Sequence, residues 1–140
     1  MAQHFLRKEQ ATLHDMDEII RFVEEHTRKL DVDASTIQYI VLATLEAVTN
    51  ILTHGYEEET GFVEIEIKRE GKSLVICFRD HAVSFDPTQI PTPDIALPLG
   101  QRPMGGLGVH LIRIFLDELI HKVPSHGGNE LICIKKDVFL

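Results

Sequence analysis

The sequence predicts an α+β fold: a two-layer α/β sandwich whose sheet is mixed but mostly antiparallel, with helices on one face and one long loop. Three observations carry this. Two early segments place apolar residues at helical spacing, and the period then changes from 3.6 to 2 near residue 60. Helices and strands neither alternate regularly nor segregate fully, which points to helices laid on one sheet face. Finally, five of the six prolines fall within Asp86–Gly108, together with Gly100, Gly105, Gly106 and Gly108.

The elements follow in order. Gln3–Ala11 reads as a first strand with Phe5 as its clearest apolar anchor. In Asp15–Leu30, the residues Met16, Ile19, Ile20, Val23 and Leu30 recur at helical spacing. Asp15 is placed to cap this helix, and Asp17 and Glu18 suit the positive end of its dipole. Ala34–His54 is a second helix, stopped by Gly55 and largely buried by Ile37, Ile40, Val41, Ala43, Leu45, Val48, Ile51 and Leu52. Alternation in Phe62–Lys68, a turn at Glu70–Lys72 and the run Leu74–Phe78 predict an antiparallel hairpin, with Glu64, Glu66 and Lys68 on an exposed face. Prolines at the density of Asp86–Gly108 fit neither a helix nor a central strand. A loop of about twenty residues inside a compact domain is usually functional. A third helix from Val109 to Lys122, a turn at Pro124–Asn129 and a last strand at Glu130–Lys136 complete the order.

The chain of 140 residues has the size of a single domain, 1–140. Fourteen Lys+Arg against twenty-two Asp+Glu give a net charge of −8. That counts against nucleic acid and anionic membrane, where Lys and Arg must neutralise phosphates. It does not count against a small anion held locally. The apolar stretch Tyr39–Val48 is cut by Glu46 and falls short of a membrane span, and the N-terminus lacks the apolar region of a signal peptide. Cys77 and Cys133 show no metal-type or CxxC spacing and sit in strand-like runs, as buried free thiols do. The expected location is the cytoplasm. No HExxH supports a histidine metal site, and no GxSxG supports a serine hydrolase.

Three constellations carry chemistry. Glu46 and Asn50 lie four apart on one helical face, and His54 continues the row. Such a polar stripe either faces solvent or caps a neighbouring loop, or it holds a divalent cation on the Asn oxygen with the Glu as base. Mg²⁺ suits that small donor set. Asp80 ends a strand within Arg79-Asp-His-Ala-Val-Ser-Phe-Asp-Pro87, either as a turn residue or as a ligand-reading group. Gly105-Gly-Leu-Gly-Val109 opens a helix, as a hinge or as an anion cradle of free N–H groups. A Rossmann reading fails, because a proline-rich loop precedes these glycines and too little chain follows.

In this order the three pieces resemble the nucleotide-binding boxes of the Bergerat-fold (GHKL) ATPase/kinase superfamily. Glu46-x-x-x-Asn50 is similar to its N box, Asp80-x-Ala82-x-Ser-Phe-Asp-Pro to its G1 box, and Gly105-Gly-Leu-Gly108 to its G2 box. The likeness spans nearly the whole chain. It is strongest to the small anti-sigma-factor serine kinases of bacterial partner-switching systems, the RsbW/SpoIIAB type, through Phe85-Asp-Pro87, Gly106–Arg113 and Gly128–Lys135.

The resemblance implies ATP and Mg²⁺ as cofactors and a long ATP lid. It makes Asn50 the Mg²⁺ ligand, Glu46 the base toward an attacking serine hydroxyl, and Asp80 the acceptor for the adenine amino group. Ala82, Phe85, Leu107 and Val109 complete the nucleotide set, the amides of Gly105, Gly106 and Gly108 wrap the phosphates, and Arg102 in the lid meets the γ-phosphate. The implied function is a serine/threonine-protein kinase acting on a STAS-domain anti-anti-sigma protein, with a sigma factor as a further partner and a homodimer as the assembly. The alternative is a non-catalytic, ATP-gated module that sequesters a sigma factor or a STAS protein. Retained Glu46 favours the kinase, because pure binding needs no base. Three departures stand out: Ala82 and Ser84 replace the G1 glycines, and Asn129 stands near the place where many relatives carry Thr.

Overall fold

The alternating segments of the chain pair into a sheet whose order is set by two short turns. The computed structural model describes residues 3–89 and 112–140. The strands are β1 (Gln3–Ala11), β2 (Gly61–Glu70), β3 (Ser73–Asp80), β4 (Glu118–Lys122) and β5 (Asn129–Lys136), joined in the order β1-β2-β3-β5-β4. Every pairing among them is antiparallel, which narrows the expected mixed sheet to a fully antiparallel one. Gly71, at φ 61°, makes the tight β2–β3 turn opposite the Glu70–Ser73 pair.

The parity of β1 differs from the expectation. Phe5 pairs with Glu66 on the open face of the sheet and is 54% exposed, whereas Leu6, opposite Ile65, packs against the core. The first helix, α1 (Met16–Lys29), also begins differently. Asp15 makes no capping bond to it; its carboxylate instead accepts from the Thr12 N–H at 2.9 Å and closes a capping box around a 3-10 turn, Leu13–Asp15.

The second helix, α2 (Ala34–Asn50), is capped by Asp33, which accepts from the Thr36 N–H at 2.9 Å. That hydrogen bond holds the Asp33 carboxyl below its ordinary range. The helix ends in a π turn, Ile51–Gly55, where the Thr53 hydroxyl donates to the Thr49 carbonyl at 2.6 Å. Ala34–Gly55 is thus 22 residues long, enough by length and composition to cross a membrane and longer than the Tyr39–Val48 stretch suggested. Its apolar side is spent on the sheet: Ile37, Ile40, Ala43, Ala47, Val48 and Leu52 are buried in one cluster with Val63, Ile65, Ile67, Leu74, Ile76 and Phe78.

The third helix ends earlier than its spacing predicted. Residues 112–115 are helical, and the chain then turns into β4 at Glu118. The physical reason is tertiary. The Asp117 N–H donates to the Ile134 carbonyl at 3.0 Å, and its carboxylate accepts from the Lys136 N–H at 2.6 Å, so β5 captures the backbone where the helix would continue.

The other sheet face is less exposed than its alternation implied. Arg79 donates to Glu130 at 2.6 Å, Glu64 at 3.0 Å and Glu66 at 2.6 Å, and Glu66 is only 4% exposed. Burial opposes the Arg79 charge, but these carboxylates hold the guanidinium firmly protonated. Cys77 and Cys133 are free, buried thiols, as expected. Burial pushes Cys77 up to about 11, which keeps it an inert thiol at neutral pH.

Candidate functional site

The core helix and the ends of two central strands meet around a cavity of about 520 Å³. Its walls are mostly apolar, from Ala47, Ile51, Val83, Ile112, Leu119 and Leu131 among others. A few polar groups converge on it: Glu46, Asn50 and His54 from the helix side, and Asp80, Ser84, His121 and Asn129 from the strand side. An apolar cleft of this size with few polar groups is the usual form of a small-molecule site.

The helix side is simple. The Asn50 Nδ2 donates to Glu46 Oε1 at 3.2 Å, the i,i+4 contact anticipated from spacing. Among the described residues, no hydrogen bond reaches the Asn50 side-chain oxygen or the second Glu46 oxygen. Both residues line the cavity, and among the described residues their side chains are joined to each other.

The strand side is a network built by register. Antiparallel pairing sets Asp80, the last residue of β3, directly opposite Asn129, the first of β5. Asp80 is 5% exposed, and its Oδ1 accepts from the Ala82 N–H and from Asn129 Nδ2, each at 2.9 Å. Burial pushes the Asp80 carboxyl above the ordinary aspartate range, and those two hydrogen bonds oppose the shift. The segment after β3 is fastened to β5: Ser84 Oγ donates to the Gly128 carbonyl at 3.0 Å, and the Phe85 N–H to Asn129 Oδ1 at 2.9 Å. Tyr56 braces the same turn, accepting from the His81 N–H at 2.8 Å while donating to the Phe62 carbonyl at 2.6 Å.

Ala82, where the resembling box carries glycine, is accommodated by a glycine opposite. A Cβ on Gly55 would stand 2.8 Å from the Ala82 Cβ, inside van der Waals contact. Gly55→Ala is therefore expected to cost about 1–3 kcal/mol through overpacking, and Ala82→Gly in the same chain is expected to recover most of it. Thermal melts of the two single variants and the double variant measure this coupling; simple additivity would contradict it.

Of the residues singled out from sequence, Glu46, Asn50, Asp80, Ala82 and Phe85 line the cavity together. Arg102, Gly105, Gly106, Leu107, Gly108 and Val109 lie outside the described residues. Several contributors were not anticipated as site residues, His121 and Ile112 among them. His121, placed near a helix end by the sequence, lies on β4 and reaches Asn129. Ile112 closes the helix side. The hint for β4 was the Pro-Ser-His-Gly-Gly segment between two apolar runs, a hairpin signal.

An apolar cavity between a core helix and antiparallel strand ends, with a carboxylate at one strand end and a Glu/Asn pair on the helix, is the layout expected from the resemblance to the GHKL class. The chain belongs to the histidine kinase-like ATPase domain family, which matches residues 10–135. It is 25% identical over 135 residues to the anti-sigma F factor of Clostridium kluyveri, covering 96% of this chain and 92% of that one. It is 33% identical over 87 residues to the serine-protein kinase RsbW of Bacillus cereus and of Bacillus anthracis, covering 59% of this chain and 54% of each relative.

Proposed function

We propose that this protein is a cytoplasmic, Mg-ATP-dependent serine/threonine-protein kinase of the anti-sigma type. Its acceptor is a STAS-domain anti-anti-sigma protein, its alternative partner a sigma factor, and its working form a homodimer. One observation carries the reading. Glu46, which pure nucleotide binding does not need, sits beside Asn50 on the same cavity wall that faces the strand-end Asp80.

The donor set suits the cofactors. Among the described residues, no group of three or more His, Cys, Asp or Glu could cage a metal ion, and Asn50 offers one free amide oxygen. That suits Mg²⁺, which takes few protein oxygens and completes its shell with water and phosphates. When bound it supplies charge neutralisation at the phosphates. The chain itself does the rest. Asp80 accepts from the adenine amino group and fixes the base, Ala82 and Phe85 border it, and Glu46 takes the proton of the acceptor hydroxyl. That hydroxyl oxygen bonds to the γ-phosphorus as the bond to the ADP oxygen breaks. Arg102, Leu107, Val109 and the amides of Gly105, Gly106 and Gly108 are assigned to the phosphates on the strength of the resemblance.

MgATP is expected to raise the melting temperature. A ligand at a hundredfold over its Kd adds about 2.7 kcal/mol, a rise of several degrees for a domain of this size. No shift at millimolar MgATP would sink the nucleotide reading.

A further inference from the structure

The carboxamide of Asn129 is satisfied on every side. Its Nδ2 donates to Asp80 Oδ1 at 2.9 Å and to the Val83 carbonyl at 3.1 Å. Its Oδ1 accepts from the Phe85 N–H at 2.9 Å and lies 2.7 Å from His121 Nε2. Two acceptors on one side and a backbone donor on the other permit one orientation of the amide. His121 must then carry its proton on Nε2 and donate to Asn129. The consequence falls on Asp80. Its Oδ1 is taken twice, and among the described residues no donor reaches Oδ2, although Asp80 lines the cavity.

We propose that Asn129, held in place by His121, is the positioning residue that sets purine selectivity: by occupying Asp80 Oδ1 it leaves Oδ2 as a bare acceptor that takes a 6-amino purine and rejects a 6-oxo purine. This deepens the nucleotide reading and rests on the base lying at Asp80. A site built to accept one hydrogen bond discriminates strongly against a ligand that cannot donate it. Asp80 is a group for which this control matters. Burial drives it toward the protonated form, and the bonds from Asn129 and Ala82 oppose that. Among the described residues, the titratable groups facing it are His81, His121 and Tyr56, the last linked through the His81 N–H. Without the Asn129 donor, the carboxyl gains its proton at higher pH. A protonated carboxyl donates, and so suits a 6-oxo group.

The test is calorimetric binding of MgATP and MgITP, which carries an oxo group in place of the amino group. It uses the full chain, from about pH 5 to 8. The wild type is expected to prefer ATP by about 10- to 100-fold, the worth of one hydrogen bond to an ionised group. In Asn129→Leu that preference should shrink by about tenfold, and the acid loss of ATP binding should move to higher pH. Asn129→Thr, which restores a donor to Asp80, should recover both. If Asn129→Leu does not fold, His121→Phe takes its place with the ATP/ITP ratio as its readout, because His121 holds Asn129 but makes no hydrogen bond to Asp80, while its charge acts on the Asp80 titration. An unchanged ATP/ITP ratio and pH profile, or an equal loss of both nucleotides, overturns the inference while the nucleotide reading stands. Failure of the wild type to bind either nucleotide overturns both.

Discussion

Glu46→Gln is expected to lower phosphoryl transfer by about 10²- to 10⁴-fold, the worth of a positioned general base, while leaving MgATP affinity nearly unchanged. The substitution is well suited to separating the two. Gln keeps the volume of Glu and retains an oxygen to accept from Asn50 Nδ2, the 3.2 Å contact of the wild type. The face of α2 that lines the cavity is therefore preserved, and what disappears is the ability to take a proton. Initial rates of phosphate transfer to a protein acceptor, set beside nucleotide titrations of both proteins, measure the split. Equal transfer rates in variant and wild type would contradict the role of Glu46 and favour a binding module over a kinase. Parallel loss of binding and transfer would mean that Glu46 holds the nucleotide rather than the proton.

Gly128→Ala is expected to destabilise the fold by on the order of 3 kcal/mol and to abolish nucleotide binding. Gly128 has φ 83°, a region where a side chain is strained, and its missing Cβ would be driven into the carbonyl oxygen of Asp80. The damage would pass directly to the site, since Gly128 precedes Asn129 and its own carbonyl receives Ser84 Oγ. The neighbour provides the control. Gly127 has φ 91° but nothing within 4 Å of a built Cβ. Gly127→Ala should therefore show the backbone strain alone, about 1 kcal/mol, and keep its nucleotide affinity. Melting curves and MgATP titrations of both variants measure the contrast; equal effects would show that strain, not the approach to Asp80, explains the glycine.

Much of this architecture was legible because local patterns and tertiary demands agree. The period-3.6 spacing of α1 and α2 and the period-2 run of β2 each correspond to the face that is buried, and the Glu46–Asn50 contact follows from helix geometry alone. The rest was hidden for identifiable reasons. Leu111, Ile112, Phe115, Leu116 and Leu119 fit one helical stripe, but the bonds from Asp117 to β5 end that helix, and nothing local announces them. Phe5 and Leu6 are adjacent apolar residues, so the strand pattern did not say which one faces inward; pairing with β2 decides it. Glu66 read as solvated because alternation marks a face but not what lies on it, and Arg79 comes from the next strand. The strand side of the site was hidden most deeply. Asp80, His121 and Asn129 are brought together only by the order β3-β5-β4, and the amide orientation of Asn129 is fixed by backbone groups of Val83 and Phe85.

The proposed nucleotide pocket and the proposed role of Glu46 as base come to one claim: the protein moves a phosphoryl group from ATP to another protein. The most direct measurement incubates it with γ-labelled MgATP and the STAS-domain proteins of its own genome. Label on a serine or threonine of one such protein, dependent on Mg²⁺ and lost in Glu46→Gln, is the expected result. Tight MgATP binding with no label on any of them would contradict it.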